Sequence, residues 1–107
     1  MKHCKLAAIA GVVLATSLAD ISPVAAQAKE IKVGVIYDQT GAFAAGGSKA
    51  SALGTQIAVD MINEKGGVEG YKIVALNADA QSKTDVAINE AERLLNDAKV
   101  DLLMGVF

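Results

Sequence analysis

From Ile31 to Tyr37 the chain alternates and then runs apolar through Ile31, Val33, Val35 and Ile36. That pattern predicts a short first strand buried on both faces. Asp38 to Gly47 holds Gly41, Gly46 and Gly47 among small residues and reads as a loop. Between Ser48 and about Lys65 the residues Leu53, Ile57 and Met61 recur at four-residue spacing, widened by Ala50, Ala58 and Ile62. This predicts an amphipathic helix that packs the stripe on a sheet, with Ser48 as its cap. Gly66-Gly67 should end it, since glycine takes the left-handed conformation cheaply just past a helix, and Gly70 marks the turn back.

Tyr71 to Ala78 predicts a second strand around Ile73, Val74 and Leu76, followed by the polar stretch Asp79 to Lys83. Ser82 or Thr84 is placed to cap a second helix running to about Asp97. Its expected buried stripe is Ala87, Ala91, Leu94, Leu95 and Ala98, with Glu90, Glu92 and Arg93 facing water. Val100 to Phe107 reads as a third strand. The resulting β-α-β-α-β order predicts an α/β fold, the start of a doubly wound parallel sheet with right-handed crossovers. In such sheets ligands lie beyond the carboxyl ends of the strands. Here that means the loop Asp38 to Gly47, the loop Asp79 to Lys83, and whatever follows Phe107.

The first 28 residues fit none of these elements. Lys2 and Lys5 precede an apolar run from Leu6 to Leu18 that Asp20, Ser22 and Pro23 close. The run is shorter than the roughly 20 residues a membrane helix needs, and the pattern is that of a secretory signal peptide. Small residues two apart supply a cleavage site at Ala26-Gln27-Ala28, with Val24-Ala25-Ala26 as a second. Cys4 precedes the apolar run, so it is not placed as a lipoprotein cysteine and leaves with the leader.

Subtracting the leader changes what composition means. The 52% hydrophobic content belongs partly to it, and from Lys29 onward eight basic and eleven acidic residues are interspersed without a basic stripe. Nucleic acid is not an expected partner. No cysteine remains, so no disulfide is expected. Residues 29–107 bury only about 60 to 65% of their unfolded surface if they fold alone, and Val100 to Phe107 stops without a cap or polar tail. The expected domain organisation is therefore a signal peptide at 1–28 and, at 29–107, the truncated N-terminal part of a first α/β lobe. On its own that segment should be marginal and prone to aggregate through an edge strand.

Candidate chemistry centres on the glycine-rich loop. A dinucleotide site needs G-x-G-x-x-G directly after the strand, and a P-loop needs Gly-Lys-Ser/Thr; glycines at 41, 46 and 47 and the order Gly47-Ser48-Lys49 fit neither. The loop can still offer backbone N–H groups, the Thr40 hydroxyl and a helix dipole to a small polar or anionic group, with Phe43 as an apolar wall. Asp38, Thr40, Gly41, Phe43 and Gly46 are the candidate ligand-binding residues. Each has a plainer reading: Gly41 as a tight-turn residue, which is favoured, and Asp38 as a turn cap. Asp79 shares the ambiguity and leans to turn chemistry.

No catalytic constellation is visible. The only histidine, His3, lies in the leader, and Asp60 and Glu64, one helical turn apart, fit a solvated face. Clustered metal-ligand spacing and cofactor motifs are absent. A receiver domain would need an aspartate at the end of the third strand, where Val106-Phe107 stands.

Several segments together carry a family likeness: Ile31-Lys32-Val33-Gly34-Val35, the turn Gln39-Thr40-Gly41, the block from Ile62 through Asn63-Glu64-Lys65-Gly66-Gly67-Val68-Glu69-Gly70-Tyr71 to Lys72, and the stretch from Asp79 into Ala87, Ala91 and Leu94-Leu95. From Ile31 onward the chain resembles the periplasmic Leu/Ile/Val-type binding proteins of ABC transporters, the type I family with a leucine-binding domain. The resemblance implies two α/β lobes on a hinge that trap a small solute, an amino acid or related compound, in the periplasm and present it to an inner-membrane ABC permease. It also implies further first-lobe contacts from serine and threonine residues after the third and fourth strands, beyond Phe107. The family's counterpart of the loop Asp38 to Gly47 can hold a large side chain over the ligand. Around Ala45 and Gly46 this sequence has none, which weighs against a branched aliphatic amino acid and leaves an amide, urea-like or aromatic solute open. Two other exported functions fit the same pattern: the sensing domain of a receptor, and an α/β enzyme whose catalytic residues come from the missing part.

Overall fold

A computed structural model describes residues 29–105. The expected signal peptide and both of its cleavage sites lie outside the described residues. The central strand, β1, is Glu30–Tyr37, and its four positions from Val33 to Ile36 are all buried. β2 (Lys72–Asp79) lies on one side of it and β3 (Leu102–Gly105) on the other, both parallel to it, in the order β2-β1-β3. The helices α1 (Lys49–Glu64) and α2 (Thr84–Asn96) make the two crossovers. One crossover moves left from β1 and the other returns to its right, so a common right-handed sense puts the helices on opposite faces of the sheet.

The α2 side holds the better-defined core. Ile36, Ala78, Ala80, Leu94 and Val100 pack together, with Leu76, Ala87, Ala91, Ala98 and Leu103 against them. Leu94 is seated directly on β1, because a side chain at Gly34 would come within 3.1 Å of it. Most of the expected α2 stripe therefore faces the core, with Leu94 buried and Ala87, Ala91 and Ala98 half-buried, but Leu95 is exposed and Glu90 is partly covered. The third strand is shorter than its apolar run. Val100 donates its N–H to the Leu94 carbonyl, and Asp101 is bonded to the backbone of Lys32 at 2.8 Å in both directions, so both residues serve as the entry to β3.

The larger correction concerns α1. The stripe Leu53, Ile57 and Met61, expected against the sheet, is 62%, 50% and 51% exposed. The packed face instead carries Val59, with fully buried Ser48 at its start and half-buried Ala52 and Asn63. These small or amide-bearing residues recur at the same helical spacing, and periodicity alone does not say which of two faces meets the sheet. Asn63 anchors the far end of the helix: its amide donates to the Ile73 carbonyl and accepts the Ile73 N–H, each at 2.8 Å.

The ends of the helices depart from the expected caps in one direction only. At the C-terminus of α1, Gly66 donates to Asn63 and Gly67 to Ile62, with positive φ at both glycines, a Schellman motif. At the N-termini no side chain caps the helix. Ser48 spends its hydroxyl on another loop residue, α2 starts after Lys83, and neither Ser82 nor Thr84 bonds to its first turn. Ala44–Ser48 forms a wide π-type turn kinked at Gly47, where an open loop was expected.

Candidate functional site

Tyr37 and Asp79 end the paired strands β1 and β2 side by side. The two loops that leave them are tied together by two carboxylates. Asp79 accepts N–H groups from Gln39 at 2.9 Å, Thr40 at 3.2 Å and Gln81 at 2.9 Å on one oxygen, and the Thr40 hydroxyl at 2.7 Å on the other. Asp38, buried, reaches the opposite way and accepts the Ser82 N–H at 2.6 Å, while its own N–H donates to the Ser48 hydroxyl at 2.7 Å. Ser82 completes the exchange by accepting the Phe43 N–H at 2.9 Å. Each loop thus supplies an acceptor for the backbone of the other.

The close approach has backbone requirements. Gly41 has φ of +93°, and a Cβ there would lie 2.5 Å from the Gln81 carbonyl oxygen. Only glycine meets both conditions. Across from it Gln81 and Ser82 both adopt φ of 55°, a left-handed pair that costs energy in non-glycine residues. The bonds from the Gln81 and Ser82 N–H groups to Asp79 and Asp38 offset that cost. Desolvation pushes the Asp79 pKa up, but it is outweighed by the Thr40 hydroxyl and the N–H groups of Gln81, Thr40 and Gln39, so the carboxyl titrates below its ordinary value.

Beside the latched loops is a hollow of about 160 Å³, lined by Tyr37, Asp38, Phe43, Ala80, Ser82, Lys83, Thr84 and Ala87. It sits at the carboxyl edge of the parallel sheet, where such folds place ligands. Of the residues singled out from sequence, Asp38 and Phe43 line this hollow, Thr40 and Gly41 lie in the loop-to-loop contact, and Gly46 stands on the outer turn with open space around its Cα. Phe43 leaves more than half of its surface exposed. Ser82 and Lys83 belong to the loop Asp79 to Lys83 that the sequence placed at the ligand edge without singling them out, and Asp79, read as leaning to turn chemistry, makes that turn bond to Gln81 and is also the hub between the loops. The polar stretch Asp79 to Lys83 at a strand end was the available signal.

This architecture can present fixed polar groups and an aromatic wall to a small molecule. A model of the periplasmic binding protein family matches residues 30–107. The chain belongs to that family. Leu/Ile/Val-binding protein homolog 7 of Brucella suis is 42% identical over 94 residues, which are 88% of this chain and 22% of that protein. The branched-chain amino acid transporter substrate-binding protein LivJ of Streptococcus pneumoniae, solved with isoleucine, superposes with a TM-score of 0.70 at 35% identity. The match covers 73% of this chain and 22% of that one. A fatty acid ABC transporter substrate-binding protein of Thermomonospora curvata gives a TM-score of 0.64 at 29% identity, over 70% of this chain and 18% of that one.

The chain therefore spans about a fifth of the length of these relatives, and the matched region is a type I, leucine-binding-type α/β fold. Its relatives are substrate-binding proteins of transporters, not enzymes. The reading as an exported enzyme is set aside on that ground.

Proposed function

We propose that the full-length protein is the substrate-binding component of an ABC importer for amino acids or related small solutes, working in the periplasm with an inner-membrane permease. The observation that carries this reading is the hollow at the carboxyl edge of β1 and β2, held by the two-way latch, in a chain of the periplasmic binding protein family. The leader pattern in residues 1–28 supports export. In this reading Phe43 is the apolar wall against the solute, Asp38, Thr40 and Gly41 set the shape of the rim through the contact between the loops, and Gly46, whose own N–H is bonded to the Phe43 carbonyl, lies on the outer turn. Affinity then comes from closing a second lobe over this edge, which excludes water and strengthens each polar contact.

The scaffold by itself leaves the solute open, since relatives described as carrying isoleucine and as serving fatty acids superpose on it almost equally well. The absence of a large side chain around Ala45 and Gly46 favours an amide, urea-like or aromatic solute over a branched aliphatic one. A thermal-shift screen of the mature full-length protein against amino acids, amides, aromatic acids and short fatty acids tests both levels. A ligand present at a hundred times its Kd adds about 2.7 kcal/mol of stability, a clear shift in midpoint. No shift with any of these classes would overturn the importer reading, and a shift with leucine, isoleucine and valine alone would overturn the solute preference.

A further inference from the structure

The outward face of α1 is apolar where a solvated helix would be polar. With 3.6 residues per turn, Ile57, Met61 and Ala50 lie on the side of the helix opposite Val59, its buried residue, and Leu53 lies just beside them. They point away from the sheet, and no other described element covers them. Lone exposed apolar residues are ordinary, but a row along one helix marks an interaction surface.

The charges on the same helix are placed against its dipole. Lys49 is its first residue and Glu64 its last, with no acid in the first turn and no base in the last, whereas the dipole favours the reverse at both ends. Among the described residues the one ion pair is Arg93 with Glu90, so both misplaced charges lack a partner here. Lys49 lies on the flank shared with Leu53, about 12 Å before Ile57, and Glu64 lies on that flank about 10 Å after it, at 1.5 Å per residue. A two-fold axis through Ile57 that sets two such helices antiparallel therefore brings Lys49 of each beside Glu64 of the other. It also stacks Leu53 on Met61 and Ile57 on itself. Gly54 and Ala58, both exposed on the opposite flank, let the helices approach closely.

We propose that this face is a self-complementary interface, and that its occupant is a second copy of this chain docked α1 against α1 in antiparallel orientation. Each copy covers the other's apolar row and supplies the opposite charge at the unfavourable end of the partner's helix dipole. Such an isologous contact closes on itself and does not propagate. It lies on the far side of α1 from the sheet and is independent of the solute reading.

Sedimentation velocity of the mature full-length protein across a concentration series tests this. The expected result is a reversible monomer–dimer equilibrium that Ile57→Glu abolishes. Lys49→Glu should raise the dimer dissociation constant about tenfold, through two lost surface ion pairs and new like-charge contacts, and Lys49→Glu combined with Glu64→Lys should restore it. Both charge changes are on the surface and leave the fold intact. A wild-type protein that stays monomeric at every concentration overturns the proposal, as does a charge swap that fails to restore. If Ile57→Glu instead lowers the thermal midpoint of a monomer, the row is covered by the protein's own further chain, which also overturns it.

Discussion

Replacing Asp79 isolates the latch between the two loops. Its carboxylate receives four bonds, three from backbone N–H groups and one from the Thr40 hydroxyl. A hydrogen bond to a charged acceptor contributes about 1.5 to 3 kcal/mol when water cannot replace it. Asp79 is only half-buried, so water recovers much of that, and Asp79→Ala should cost about 2 kcal/mol overall. Asp79→Asn keeps an oxygen for the three N–H groups but loses the charge and the acceptor for Thr40, and should cost about 1 kcal/mol. The pH dependence separates the two effects. Asp79 titrates lower in the folded protein than its ordinary value of about 3.9. Its charge-linked contribution is therefore complete above that unfolded value and is lost as pH falls through the depressed folded one. Urea unfolding of the mature full-length protein should show a gap between wild type and Asp79→Asn that is constant from pH 5 to 7 and narrows at the acid end. The same midpoint for all three proteins across that range would refute the latch.

Three further substitutions probe the surrounding structure. Gly41→Ala should lower stability by about 1 to 3 kcal/mol, the cost of a left-handed non-glycine residue, with the Gln81 carbonyl adding a clash; an unchanged urea midpoint would show that the loops part freely. Asn63→Ala removes both bonds to Ile73 and leaves two half-buried backbone groups unpaired, a loss of about 1 to 3 kcal/mol, to be seen as faster amide exchange along β2. Phe43→Ala, at an exposed ring, should change stability by less than about 0.5 kcal/mol while weakening solute binding roughly tenfold, about 1.4 kcal/mol. A calorimetric titration with the ligand found in the screen decides it, and unchanged affinity would remove Phe43 from the binding wall.

Strand and helix order, the parallel sheet and the α2 core were legible because hydrophobic period, glycine stops and crossover length all pointed one way. The first two strands and both helices came out within about two residues of their predicted ends, and the third strand began two residues later than predicted. What failed was the choice of face on α1. Leu53, Ile57 and Met61 make the more apolar row, yet Ser48, Ala52, Val59 and Asn63 make the row whose size and amide chemistry suit the sheet. The N-caps failed for a related reason. Ser48 accepts the Asp38 N–H at the start of its own loop, and Ser82 accepts the Phe43 N–H of the loop across from it, so both hydroxyls go to tertiary contacts instead of a helix turn. In the site, the glycines and the aromatic residue could be picked out by type. The hub role of Asp79 depends on bonds to residues about forty positions away, which no local pattern encodes.

The amide of Asn63 has a consequence for how the sheet can grow. Lys72 directs its N–H toward β1 through the bond to Lys29, so in a parallel ladder the next residue, Ile73, turns its donor and acceptor to the outer side. Asn63 occupies both and acts as a one-residue surrogate strand at that margin. An incoming strand at this edge would have to displace a side chain tethered to α1, whereas the margin at β3 carries no such plug among the described residues. Among the described residues the β2 margin is therefore blocked to a pairing strand at Ile73, near the start of β2, and the β3 margin has no such block.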